Sequence, residues 1–113
     1  MDIEWLQQHC LAWPATSEEV KWEQNLCFMV AKKMFCLYGL DDGRISFKVT
    51  EDQFEELSGT DGFMPAPYFA RAKWVTVIHP EKVGKKEMAR LLRQAYEIIR
   101  DKLPKKLKAE YGL

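Results

Sequence analysis

The stretch that most constrains this chain runs from Leu26 to Val49. Leu26-Cys27-Phe28-Met29-Val30 and Lys33-Met34-Phe35-Cys36-Leu37-Tyr38 are apolar runs too short and too rich in β-formers for helices, and only Ala31-Lys32 separates them. A two-residue link between such runs predicts a β-hairpin. Asp41-Asp42-Gly43 supplies the next turn, and Arg44-Ile45-Ser46-Phe47-Lys48-Val49 then alternates polar with apolar, as a strand with one buried face does. Counting outward from the Ala31-Lys32 turn pairs Val30 with Lys33, Met29 with Met34, Phe28 with Phe35 and Cys27 with Cys36. The two cysteines then form a non-hydrogen-bonded pair with α-carbons about 4.5 Å apart, inside disulfide reach, although free thiols are expected in a reducing compartment. The same register sets Met29 and Met34 on the face opposite Phe28 and Phe35, where an apolar patch needs cover.

The remaining elements follow from periodicity and punctuation. Ile3, Leu6, Cys10 and Trp13 recur at helical spacing between Asp2 and Trp13, and Pro14 stops that helix. Thr16 to Glu19 reads as a polar turn and Val20 to Glu23 as a short extended piece around Trp22. Thr50 followed by Gln53 is a capping-box pattern, opening a short acidic helix that carries Phe54 and Leu57 and closes at Gly59. Gly62 to Pro67 reads as a loop because its two prolines lack amide donors. Lys73 to Ile78 is β-branched and aromatic, hence a strand, and Lys85 to Lys102 keeps Met88, Leu91, Leu92, Ala95, Ile98 and Ile99 at helical spacing. Pro104 suits the first turn of a last helix, Lys105 to Tyr111, docked through Leu103 and Leu107. The expected fold is α+β, a two-layer single domain over residues 1–113, ordered α-β-β-β-β-α-β-α-α. An antiparallel sheet of about five strands carries helices on one face.

Many functional classes drop out. The start, Met1-Asp2-Ile3-Glu4, is acidic, and no apolar run approaches the roughly 18 residues of a membrane span, so a cytoplasmic protein with no membrane partner is expected. Three cysteines spaced nine or more apart make neither a disulfide framework nor a CxxC knuckle. GxGxxG, P-loop, HExxH and GxSxG patterns are all missing, and His9 and His79 stand 70 residues apart. No catalytic residue, cofactor or metal is assigned, and a non-catalytic binding module is the expectation.

Net charge is zero, but it is not evenly spread. Residues 1–66 hold 5 basic and 12 acidic side chains, while residues 67–113 hold 12 basic and 5 acidic. The candidate basic surface comprises Arg71, Lys73, Lys85, Lys86, Arg90, Arg93, Arg100, Lys105 and Lys106, which point to weak, non-specific contact with DNA phosphates. An ordinary solvated helix face is the competing reading. Trp5, Trp13 and Trp74 fall at apolar positions of a helix or strand, whereas Trp22 and Tyr68 lie in short or irregular segments and are the candidates for a pocket or partner contact. Homodimerisation or protein interaction through an apolar sheet face is the alternative to DNA, and a small-molecule site or enzyme pocket near Pro65-Ala66-Pro67-Tyr68 comes third.

Several segments together resemble a known family: Cys10-Leu11 in the opening helix, the hairpin from Leu26 to Phe35, Pro67-Tyr68 leading into Lys73-Trp74-Val75-Thr76-Val77, and Lys102-Leu103-Pro104-Lys105-Lys106-Leu107. They are similar to the bacterial MmcQ/YjbR-like proteins, from about Asp2 to Glu110. Ala31-Lys32 stands where many members have Gly-Gly. The resemblance implies a frataxin-like arrangement of helices on one face of an antiparallel sheet, and a DNA-binding role. It carries over no catalytic residue, and a shared fold does not transfer iron binding.

Overall fold

In a computed structural model describing residues 1–113, the chain runs α1 (Ile3–Cys10), β1 (Thr16–Lys21), β2 (Asn25–Val30), β3 (Lys33–Gly39), β4 (Ile45–Lys48) and α2 (Glu51–Ser58). It continues through β5 (Phe63–Pro65), a 3₁₀ turn at Ala70–Ala72, β6 (Trp74–Val77), a second 3₁₀ turn at Pro80–Lys82, α3 (Lys85–Asp101) and α4 (Lys105–Glu110). The strands make one antiparallel sheet in the order β1-β2-β3-β4-β6-β5. No helix is long and apolar enough to cross a membrane.

Local chemistry explains most boundaries. Ala31 and Lys32 both take positive φ (47° and 67°), the conformation a two-residue hairpin turn requires. Asp2 caps α1 by accepting from the Trp5 amide at 3.0 Å, and the Thr50–Gln53 capping box opens α2 with both of its hydrogen bonds formed. α3 turns Met88, Leu91, Leu92, Ala95 and Tyr96 inward across β2, β3 and β4. These join Leu6 and Cys10 of α1 and the inward side chains of the strands in a core of 17 buried residues. The Tyr96 hydroxyl, reaching through that core, donates to the Pro14 carbonyl at 2.7 Å. Behind α3, Leu103 is buried, Leu107 half-buried and Leu113 packed against the main core, so the C-terminal segment is docked.

The sheet has six strands where about five were expected. Thr16–Lys21 is a strand instead of a turn followed by an extended piece around Trp22, because it lies at a sheet edge with Ser17 to Val20 exposed and so shows no alternation to read. Trp22 and Glu23 instead form the link to β2, both at positive φ. Phe63–Pro65, expected as a loop, pairs with β6 at the other edge, where a residue without an N–H costs no ladder bond. α1 ends at Cys10, three residues before Trp13, which packs on the core by its own route, 5.2 Å from the Tyr96 ring.

The hairpin register departs from the simple count. Val30 does face Lys33 and Met29 does face Met34, but a bulge between Phe28 and Met29 pairs Phe28 with Cys36 and Cys27 with Leu37. The extra residue lets Phe35 and Cys36 both enter the main core, while Cys27 joins the opposite face. Cys27 and Cys36 are therefore not partners, and all three cysteines are free and buried. Met29 and Met34 were expected to need an outside cover. Met29 is buried, and Met34 packs against a small second cluster of Cys27, Leu37, Ala66 and Trp74, to which the chain's own segment 66–74 contributes.

Candidate functional site

The segment after β5 shapes the helix-free face of the sheet. Its backbone is pinned by the Ala66 amide donating to the Trp74 carbonyl at 3.0 Å, and it turns through two left-handed residues, Tyr68 (φ 68°) and Lys73 (φ 63°). Phe69 stacks obliquely on Trp74, with ring centroids 5.5 Å apart, and reaches Trp22 at 6.4 Å. The β1–β2 link and the Pro67–Phe69 segment thus approach each other across the sheet from opposite sides.

Between them lies a cavity of about 470 Å³. Trp22 and the Pro67-Tyr68-Phe69 run form its walls, Leu37, Gly39, Ser46 and Thr76 lie beneath, and Asn25, Asp42 and Arg44 complete the lining. Trp22 is 61% exposed and Tyr68 fully exposed, unusual for side chains of this size unless something covers them in use. Ser46 and Thr76, cross-strand partners on β4 and β6, share a hydrogen bond at 2.7 Å and place hydroxyls in an otherwise apolar floor. A β-carbon at Gly39 would displace the Asp42 carboxylate from its present position. Asp42 itself turns the chain by accepting from the Arg44 amide at 2.9 Å. The volume and the mix of aromatic walls with a few polar groups are those of a small-ligand site.

The nine basic candidates do not form one surface. Arg90 is held by Glu87 at 2.6 Å, Arg93 by Glu97 at 3.3 Å and Arg100 by Asp101 at 3.0 Å. Arg93 also lies over the Trp13 and Tyr96 rings, so it braces α3 against the core. Lys85 and Lys86 are exposed at the start of α3, whereas Lys105 and Lys106 are exposed at the start of α4, beyond the far end of that 17-residue helix and so about 25 Å away. Arg71 and Lys73 lie at the end of β6 away from Lys85 and Lys86, around a recess that Lys48 and Lys102 also line.

The other polar candidates have local partners. His9 Nδ1 lies 2.9 Å from the Trp5 carbonyl and its ring packs on the Trp5 ring, while exposed His79 lies 3.6 Å from Glu81. Burial and the neighbouring Cys10 push the Cys36 thiol well above its ordinary pKa, and burial raises Cys27 as well, so both are held as protonated thiols. Sequence reasoning singled out Trp22 and Tyr68 and missed Phe69, Ser46 and Thr76. The alternation of β4 announces that Ser46 and Lys48 point away from the core, but only the pairing with β6 shows what they meet.

The YjbR family model matches residues 11–98. Among solved structures the chain is similar to DR2400 of Deinococcus radiodurans, a DUF419 protein, with 27% identity, a TM-score of 0.85, and coverage of 96% of this chain and 86% of that one. It also shares its fold with a protein from Pseudomonas syringae, at 20% identity and a TM-score of 0.68, covering 87% of this chain and 98% of that one. No curated protein matches it.

Proposed function

The chain belongs to the YjbR family, whose model spans residues 11–98, and from that premise we propose that it is a non-catalytic cytoplasmic binding module for a flat-ring ligand. The observation that carries this reading is the half-open cavity of about 470 Å³ with Trp22 and Tyr68 exposed on its walls. Rings slide between rings with little loss of side-chain freedom, because Trp and Tyr each have only two rotatable side-chain bonds. The Ser46 and Thr76 hydroxyls and the Asn25 amide offer donors and acceptors to the ligand's polar edge. The surroundings include Asp42 beside Arg44, so a ring with little net charge fits better than a polyanion.

The test is a titration with nucleosides and aromatic amino acids, followed by tryptophan fluorescence and by amide shifts of Asn25, Ser46 and Thr76. Trp22→Ala removes one stacking partner and is expected to weaken binding about tenfold or more while leaving the fold intact. If the panel produces no saturable shift at these residues, or Trp22→Ala and Tyr68→Ala bind as well as the parent, the reading fails.

DNA contact through the basic C-terminal half is a second reading, supported by the excess of 12 basic over 5 acidic side chains in residues 67–113. Three of its arginines are neutralised within their own helix, so the binding it allows is weak, tolerant of sequence and steeply salt-dependent. Absence of duplex binding at low salt would remove it.

A further inference from the structure

Across the sheet from the aromatic cavity, at the opposite ends of β4 and β6, four cations line a single recess of about 690 Å³. Lys48 comes from the last position of β4, Arg71 from the 3₁₀ turn, Lys73 from the residue before β6, and Lys102 from the cap of α3. Glu51 is the one carboxylate among the lining residues. None of the four cations has a carboxylate partner within 4.0 Å, whereas Arg44, Arg90, Arg93 and Arg100 each have one.

Lys48 is the unusual member. Only 8% exposed, it donates to the Ala72 carbonyl and retains two further N–H donors. Burial, then the charges of Lys102 and Lys73, pulls its pKa down from the ordinary lysine value. Lys73 is itself fixed, its ammonium 4.9 Å from the centre of the Phe54 ring. Like charges gathered around a recess from three elements, β4, the 3₁₀ turn and the end of α3, repel one another, and Glu51 is the only counter-charge in the lining. Their convergence is tertiary, and no sequence run predicts it.

We propose that this recess binds a terminal phosphate group. The planar fork of Arg71 matches two phosphate oxygens, the lysines act as point charges, and buried Lys48 supplies directed N–H donors from the floor. A dianion suits a compact group of four cations better than the singly charged links of a nucleic-acid strand, which call for a stripe. The site shares no lining residue with the aromatic cavity, so it stands or falls separately from the flat-ring reading.

The experiment is an amide-shift titration of the full chain with inorganic phosphate, with sodium chloride at matched ionic strength and a dinucleotide diester as comparators. Phosphate is expected to move residues 48–51 and 71–74 saturably, chloride not at all, and the diester more weakly. At ten times its Kd, phosphate should raise the thermal midpoint by about 6 °C. Lys48→Met should abolish both effects, and the exposed-site variant Lys102→Gln, which does not threaten folding, should weaken binding about fivefold or more. Trp22→Ala should leave phosphate binding unchanged. Shifts shared with chloride, or a Lys102→Gln and Lys73→Gln double variant that binds as the parent does, would overturn the site. A diester that binds more tightly than phosphate would overturn the choice of a terminal group.

Discussion

The two faces of the sheet are built from the same strands and do different work. On the helix side, 17 buried residues interlock under α1, α2 and α3. On the other, a cluster of four is overlaid by a single irregular segment that leaves the aromatic cavity open, while the cationic recess sits at the end of the sheet, where β4 and β6 meet the end of α3. The lesson is a division of labour. Dense packing supplies stability on one side, where any added volume is felt. The thinly covered side leaves room for ligands and side chains whose loss the fold tolerates.

The largest test of that division is Phe47→Ala, which empties a fully buried site on the helix side and should cost about 3–5 kcal/mol in urea unfolding. Leu37→Ala on the thin side should cost less, about 2 kcal/mol, since Leu37 belongs to the smaller cluster and its site opens toward a cavity. Equal losses would break the comparison. Tyr96→Phe keeps the packing of the helix side and removes only the 2.7 Å bond to Pro14, for an expected loss of about 1 kcal/mol.

What could be read from the chain beforehand sorts along the same line. The Ala31-Lys32 turn, the Thr50–Gln53 box and the stripe of α3 are local signals, and each appears where it was read. β1 reads four residues too late, as Val20 to Glu23, because an exposed edge strand has no dry face to mark its period, and β5 reads as loop because of its proline, which an edge permits. The bulge between Phe28 and Met29 has no sequence mark, since one unpaired residue looks like any other until both strands are seen. Trp22 and Tyr68 stood out singly as large aromatics in irregular segments. Their placement on one cavity, like the gathering of Lys48, Arg71, Lys73 and Lys102, depends on which strands pair.

The smallest expected effect lies on the outer surface of α3, away from both faces of the sheet. Its hydrogen bond to Arg90 holds the Glu87 carboxyl below the usual carboxylate range. That stabilisation is present above the unfolded carboxylate pKa and disappears as pH falls through the lower folded value. Both side chains are about half exposed, so solvent screening reduces the term to about 0.3 kcal/mol. Arg90→Ala should therefore lower stability slightly near neutral pH and not at all near pH 2. A loss above 1 kcal/mol would mean that the helix surface contributes more than solvated pairs do.

Every sheet has two ends, and those of this one are poor templates for further strands. β1 presents Glu18, Glu19 and Lys21, and β5 is three residues long and finishes in Pro65. A second chain arriving edge-on meets charge at one border and a missing donor at the other, which is how soluble sheets avoid polymerising. The consequence is colloidal: concentrated or partly unfolded samples of this protein should resist fibril growth by strand addition, and the apolar material most exposed to self-association is the pair of rings, Trp22 and Tyr68.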